Sequence, residues 1–343
     1  MDLQPFKATL LDSRKSQARE TFTLRRNIIA DREVNPMKTP KFIMLMESIE
    51  MAMRSLIQYN GRARLIKEYL VTSSHHETGN VEEKTAENVI LQCLKSSGLV
   101  CYAYSSASKK VVQLMDDHVS SEKYLVAFNP MEGDKHSLSL GFIFSVYRQS
   151  EVLQRARLKP GNEMLVAGFV VYSSAIALFI SMGGNSTQEY IYDEVLGEFI
   201  VQDPDVKIPV KGKFYCIDEA QSEMWDQPTL EFVTMKKSPK IGPPKHYKFS
   251  GSLCVDMYVC LKYGGILMYP KTLRSPTGTA KLTFEANPMA YIARAAGGLA
   301  TTGFSSPLDI TPEHLHQTVP LYLGSREEVV DLLENVTIRL ATK

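Results

Sequence analysis

The chain has 343 residues, a net charge of +1, 44% hydrophobic and 22% charged residues. This is ordinary globular usage, with length for one large or two ordinary domains and a core that needs no disulfide staples. The near-zero net charge argues against a nucleic-acid footprint or a preference for membrane surfaces, and the five cysteines (Cys93, Cys101, Cys216, Cys254 and Cys260) form no C-x-x-C pair, so a reducing compartment is expected.

The N-terminal Met-Asp-Leu-Gln-Pro lacks a charged segment followed by an apolar run, and no apolar stretch is long enough to span a bilayer. A cytoplasmic protein with neither nucleic acid nor membrane as partner is therefore expected. Residues 1–38 are polar and basic, with weak helical patterning over Ser16 to Ile29, and read as an arm or loosely docked helix. Thr39-Pro40 opens a helix as cap and first helical residue, with Phe42, Leu45, Met46, Ile49, Met53, Leu56 and Ile57 at helical spacing. A second helix is predicted from about Val81 to Leu94. From Leu99 the period becomes two, and β-rich runs at 99–104, 109–114, 123–128, 138–147, 164–172, 175–181, 188–193 and 198–202 predict a large, mostly antiparallel sheet. Strands and helices alternate after a break near residue 205. A helix is predicted at about 251–262, strands at Gly265–Tyr269, near 281–284 and at Val319–Leu323, and a helix from Asn287-Pro288 to Gly297-Gly298. Ser325-Arg-Glu-Glu328 reads as a capping box opening a last helix with Val329, Leu332 and Leu333 inward. The expected organisation is an arm (1–38), an N-terminal domain (39–204) and a C-terminal domain (205–343).

Three segments carry a recognisable pattern: Asn129-Pro-Met-Glu-Gly133 running into Gly141-Phe-Ile-Phe-Ser-Val-Tyr-Arg148, Tyr263-Gly-Gly-Ile-Leu-Met-Tyr-Pro270, and Glu285-Ala-Asn-Pro-Met-Ala-Tyr291 followed by Ala296-Gly-Gly-Leu-Ala-Thr-Thr-Gly303. From Thr39 to the last helix the chain resembles fructose-1,6-bisphosphatases. The resemblance implies an α/β fold, the layered αβαβα sugar-phosphatase arrangement, with an allosteric-type N-terminal half and a sugar-phosphate-type C-terminal half. It also implies a homotetramer of paired dimers; a hetero-assembly with an active relative is a separate expectation.

The family hydrolyses a phosphate ester with a cluster of divalent ions, usually Mg²⁺, which needs oxygen ligands, mainly carboxylates. The family's first loop aspartate is Asn129 here, a neutral amide, and its second is Glu132, one methylene longer. The Ser-Ser that helps hold the scissile phosphate is Asp134-Lys135, and the paired metal-binding glutamates are Ser106-Ala107. Glu83, Glu132 and Glu285, with Glu77 in an uncertain register, are the acids left to hold metal. Losing one electrostatic stabiliser typically costs about 10²–10³ in rate, so a catalytically impaired protein with Mg²⁺ weakly bound or absent is the first expectation. In the alternative, Glu132 and Glu285 serve as solvated or helix-capping acids.

In the family the sugar 6-phosphate is held by an asparagine, several tyrosines, a lysine and an arginine from a neighbouring subunit, and these positions map to Asp218, Gln221, Lys248, Phe249, Tyr269 and Thr279, with Lys281 replacing a further arginine. Tyr269 agrees and Lys248 keeps charge without the guanidinium fork, whereas Asp218 adds an anion. An ordinary polar cleft is the competing reading. The family's nucleotide-inhibitor site, at a helix N-terminus suited to anions, maps to Thr39, Lys41, Lys123, Tyr124 and Arg148. Ile43 replaces a threonine there, and Lys123 and Arg148 read equally as strand-edge charges. His75-His76 and His314-x-His316 lack a convincing metal-ligand set, and the fifteen methionines read as core filler. Three functions follow: an impaired pseudo-phosphatase kept for binding, regulation or assembly; an active sugar-bisphosphate phosphatase with a rearranged metal set; or a protein acting on another phosphorylated ligand.

Overall fold

Thr39 caps its helix as its position predicts: the hydroxyl accepts the Phe42 N–H at 3.1 Å, and Pro40 sits where a missing N–H costs nothing. In this computed structural model, which describes residues 22–30, 39–70, 78–115, 122–133, 140–149, 157–240 and 242–340, that helix runs Pro40–Leu70 (α2). It follows Leu24–Ala30 (α1) and precedes Thr78–Ser96 (α3). Among the described residues, Phe42, Leu45, Met46, Ile49, Met53 and Leu56 are buried along one stripe of α2.

Eight strands follow as one sheet: Val100–Ser105 (β1), Val112–Gln113 (β2), Lys123–Glu132 (β3), Leu140–Gln149 (β4), Met164–Tyr172 (β5), Ala177–Met182 (β6), Thr187–Asp193 (β7) and Glu198–Val206 (β8). Their order is β2-β1-β3-β4-β5-β6-β7-β8, antiparallel except for β1 beside β3, so the expected antiparallel sheet is present. The C-terminal elements are Phe214–Cys216 (β9), Gln227–Lys237 (α4), His246–Tyr247 (β10), Leu253–Tyr263 (α5), Gly265–Tyr269 (β11), Ala280–Lys281 (β12), Asn287–Ala295 (α6), Leu299–Thr301 (β13), Thr318–Val319 (β14), Leu321–Gly324 (β15) and Arg326–Leu340 (α7). A second sheet has the order β10-β9-β11-β15-β13.

Alternation along the strands sorts side chains into three cores. Val126, Phe128, Phe142 and Phe144 pack with α2 and α3 on one face of the large sheet. On its other face Leu125, Ala127, Ile143 and Phe169 meet Met257 of α5, Met289 of α6 and Leu267 of β11. Beyond the second sheet, Ile266 and Met268 pack with Phe232 of α4 and Val329 and Leu332 of α7. The layers therefore run αβαβα, as expected.

Several local expectations are corrected. The run near 281–284 is not a strand: after the two-residue β12, residues Leu282–Ala286 form a π-helical turn leading into α6. Asn287 does not cap α6, whose preceding residue Ala286 is already helical; Asn287 is buried. Pro320 divides the 319–323 run into β14 and β15, because it cannot donate to a ladder. The capping box at Ser325 does not form: the Ser325 hydroxyl bridges the Pro209 carbonyl and the Gly265 N–H, and Glu328 faces Lys245 at 2.6 Å. Helix α4 was missed, although Asp226 caps it by accepting the Thr229 N–H at 3.1 Å, with Pro228 in its first turn.

Candidate functional site

The end of β3 carries the signature loop. Asn129 pairs with Ile143 and Glu132 with Gly141, so two residues of β3, Pro130 and Met131, stand against the single Phe142 of β4 and the strand bulges there. Because Ile143 and Gly141 share a face of β4, the bulge turns Asn129 and Glu132 to the same side, toward α5 and the π-helical turn.

At Asn129 the side chain closes a short hydrogen-bonded chain. Ser106, in the turn after β1, donates its hydroxyl to Asn129 Oδ1 at 2.9 Å, and Asn129 Nδ2 donates to Glu285 Oε1 at 3.1 Å. Glu285 Oε2 accepts the Lys281 N–H at 2.8 Å. Burial, which outweighs the nearby Lys281 charge, pushes the Glu285 carboxyl up to about 7. Ala107 contributes only its N–H, donated to Ser105 Oγ.

Glu132 points elsewhere. Its carboxylate accepts the Ser252 hydroxyl at 2.7 Å, the Leu253 N–H at 2.7 Å and the Cys254 N–H at 3.1 Å. It thus satisfies orphan donors at the N-terminus of α5, where the helix dipole favours negative charge. Gly141 makes this approach feasible: a Cβ there would lie 2.3 Å from Cys254 Sγ and 3.1 Å from Glu132 Oε2. Ser252, which also accepts the Val255 N–H, was missed in the sequence although its cap position is readable. Glu83, in the early turns of α3, does not complete an acidic cluster with Glu132 and Glu285: among the described residues no group of three or more His, Cys, Asp or Glu could hold a metal ion. Asp134, Lys135, Glu77 and His75-His76 lie outside the described residues. His316 Nε2 lies 2.9 Å from the Ser108 carbonyl and its ring leans on Phe284, a packing role.

Among the described residues, the side chains at these positions therefore do not fit a hard cation. Glu132 is engaged by three donors, Glu285 by two, and the remaining positions offer an amide, a hydroxyl and a methyl group. A fully buried carboxylate nearby, Asp256 on α5, uses Oδ1 to accept the Ser250 N–H at 3.0 Å, leaving Oδ2 without a hydrogen-bond partner. Burial, reinforced by Glu132, pushes its carboxyl up to about 7 against an ordinary 3.8, despite the opposing Ser250 bonds and Lys248. A raised carboxylate is most favourable when protonated. Its contribution to stability is complete below about pH 4 and is lost as pH rises through about 7. Asp256→Asn should accordingly match the wild type near pH 4 and exceed it at pH 8 by on the order of 2–4 kcal/mol, at about 1.4 kcal/mol per unit. Urea unfolding at the two pH values checks both.

Five of the seven predicted sugar-side residues converge. Asp218, Gln221, Phe249, Tyr269 and Thr279 line one cavity of about 200 Å³, together with Trp225 and Met268. Lys248 and Lys281 are not among its lining residues: the Lys248 ammonium lies 5.9 Å from the Phe214 ring centroid, and Lys281 follows Ala280 on β12. Asp218 Oδ1 accepts the Ala220 N–H at 3.2 Å and Oδ2 accepts Gln221 Nε2 at 2.7 Å.

Three of the five nucleotide-side residues, Thr39, Tyr124 and Arg148, also meet, around a group that sequence reasoning missed. Glu122, just before β3, accepts the Thr39 hydroxyl at 2.8 and 3.0 Å and the Tyr124 hydroxyl at 2.5 Å, and pairs with Arg148 at 3.6 Å. Burial and the Glu122 bond push the Tyr124 phenol up to about 12. Lys41 lies in the first turn of α2 and Lys123 begins β3. Nothing in the pattern around Glu122 flags it, since its partners come from three separate stretches of chain.

Two family models match, the fructose-1-6-bisphosphatase N-terminal domain over residues 22–204 and its C-terminal domain over residues 208–337. The chain belongs to the fructose-1,6-bisphosphatase family. Relatives include the fructose-1,6-bisphosphatase isozyme 2 of Mus musculus, 34% identical over 87% of this chain and 90% of the relative. The cytosolic fructose-1,6-bisphosphatase of a Saccharum hybrid is 32% identical over 91% of this chain and 93% of its own length. The crystal structure of Leishmania major fructose-1,6-bisphosphatase in holo form superposes with a TM-score of 0.80 at 29% identity, covering 92% of this chain and 99% of that one. Among the described residues no helix is long and apolar enough to cross a membrane.

Proposed function

We propose that this fructose-1,6-bisphosphatase-family chain is catalytically impaired and serves in ligand binding, regulation or assembly. The observation that carries this reading is the Ser106–Asn129–Glu285 hydrogen-bonded chain, which satisfies with neutral groups the positions where the family's chemistry needs carboxylates. The Glu132 carboxylate, committed to α5, supports it. A crystal soaked in Mn²⁺ tests it: the expected result is no ion on Glu132 or Glu285, and an ion bound by both carboxylates would overturn it.

The names of the relatives favour a second reading, a working phosphoric monoester hydrolase of gluconeogenesis with a rearranged metal set. That reading requires Glu132 to leave the α5 N-terminus. A different phosphorylated ligand is the third. Cytoplasmic residence fits the Saccharum relative's name and the free thiols, and a homotetramer or a hetero-assembly with an active relative would give an impaired subunit a regulatory role.

For a nucleotide effector, Glu122 already holds the Thr39, Tyr124 and Arg148 groups that an anion would use. Glu122→Ala should therefore strengthen AMP binding at least tenfold by titration calorimetry, and adding Arg148→Ala should abolish the gain. Equal AMP affinity with and without Glu122 would show that this carboxylate does not compete for the site.

A further inference from the structure

Asn287 leads the Asn-Pro-Met-Ala-Tyr motif and opens α6, yet its side chain does not cap that helix. It is fully buried, and neither Oδ1 nor Nδ2 meets hydrogen-bond geometry with another protein atom among the described residues. Exchanging the oxygen and nitrogen of the amide would not help, because both ends lack a partner. The next turn of α6 is different. There the Tyr291 hydroxyl donates to the Met164 carbonyl at 3.1 Å, and the Ile292 carbonyl accepts the Thr187 hydroxyl at 2.9 Å.

Two more such groups lie beside Asn287 on β4. Ser145 and Tyr147 point to the same side of the large sheet, both are buried, and both hydroxyls lack a partner in hydrogen-bond geometry. Burial pushes the Tyr147 phenol above its ordinary range, so it stays a neutral hydroxyl, while the nearby Ser145 and Asn287 side chains partly oppose the shift. The three polar groups therefore converge. A phenol has one proton to donate, whereas the amide has two N–H donors and an oxygen acceptor. Even a tightened bond between Tyr147 and one neighbour would leave most of the Asn287 amide unpaired. An unpaired buried group forfeits its bonds to water and gains nothing in return.

The surroundings suit a small guest. Ser145 stands in register between Ala127 of β3 and Ala167 of β5, the smallest side chains a strand can offer beside it. Gly161 gives the amide its place: a Cβ there would lie 2.9 Å from Asn287 Cγ and 3.0 Å from its Oδ1. Hydroxyl, phenol and amide carry no charge. A hard cation calls for carboxylates and an anion for charged donors, so a neutral trio suits neither. Water both donates and accepts. Globular proteins hold roughly one buried water per 27 residues, each making about three hydrogen bonds to groups otherwise unpaired.

We propose that a single buried water is bound between β4 and the start of α6, by Ser145 Oγ, Tyr147 Oη and the Asn287 side-chain amide. It ties the large sheet to the junction of the π-helical turn and α6, two residues from Glu285. This role for Asn287 goes beyond the proposed loss of catalysis and does not depend on it.

A crystal structure of the full-length protein, at a resolution that shows ordered water, tests it. The expected result is a density peak about 2.6–3.2 Å from all three groups. Side chains closed directly on one another, with no peak between them, would overturn the proposal. Tyr147→Phe removes one of the water's bonds and should lower the melting temperature by about 2–4 °C. A rise or no change would mean a dry, orphaned phenol and would overturn it as well. Asn287→Leu, of similar volume, should lose the peak; a peak of undiminished occupancy in that variant would show that Asn287 does not hold the water.

Discussion

Ser106→Glu, Ala107→Glu and Asn129→Asp, introduced together, are expected to give a protein that is less stable than the wild type in EDTA and strongly stabilised by Mn²⁺. The wild-type Ser106–Asn129–Glu285 chain is satisfied without an ion. The triple variant would crowd three further carboxylates beside Glu285, whose carboxyl already sits at about 7. Like charges at such distances cannot all ionise without cost, so the metal-free form is penalised and a divalent ion relieves the penalty. At a free Mn²⁺ concentration a hundred times the Kd, binding to the folded form alone adds about 2.7 kcal/mol. Thermal melts with and without Mn²⁺ read the effect. No Mn²⁺ response in the variant would mean that the pocket has been lost more broadly than these three positions.

Glu132→Ala is expected to destabilise the fold severely, even with no metal in the buffer. Its carboxylate satisfies a hydroxyl and two backbone N–H groups at the start of α5. Only 9% of the residue is exposed, so water cannot freely replace it. Orphaned buried donors cost about 1–3 kcal/mol each, and a carboxylate bonded to N–H groups is of the stronger, charge-assisted kind. A loss on the order of 3–5 kcal/mol by urea unfolding is therefore expected. Glu132→Asp, one methylene shorter, should lose roughly 1–2 kcal/mol as a weakened cap. If Glu132 were instead a vacant metal ligand among other acids, its removal would relieve repulsion and leave stability unchanged or improved. The sign of the effect separates the two roles.

Much of the architecture was legible because it is written in local periodicity. The alternation from Leu99 onward marks the large sheet, Thr39-Pro40 marks the start of α2, and the glycine-flanked run at Gly265–Tyr269 is β11. Expectations failed where distant contacts override a local signal. Ser325 and Glu328 have the spacing of a capping box, yet Pro209, Gly265 and Lys245 claim their side chains. Asn287-Pro288 resembles a helix start, but the π-helical turn carries helical backbone through it.

The candidate site shows the same division. The substitutions at Asn129, Ser106 and Ala107 are visible in sequence. That Asn129 and Ser106 bond one another across 23 residues, and that Glu132 reaches α5 some 120 residues away, follows from the β3 bulge and the space at Gly141. Glu122 illustrates the limit of sequence reading, since its three partners meet only once α2, β3 and β4 are assembled. Five of the sugar-side residues share one cavity of a single chain, and Lys248 lies outside it, beside Phe214.

The most direct test of the impaired-catalysis account is fructose 1,6-bisphosphate hydrolysis by the purified protein with saturating Mg²⁺ or Mn²⁺, at pH values on both sides of 7. The account predicts phosphate release at least about 10³-fold below the ~10 s⁻¹ typical of enzymes, with no recovery as the Glu285 carboxyl ionises above about pH 7. Metal-dependent turnover on the order of 1 s⁻¹ or more, abolished by Glu132→Gln in a protein that remains folded, would contradict it.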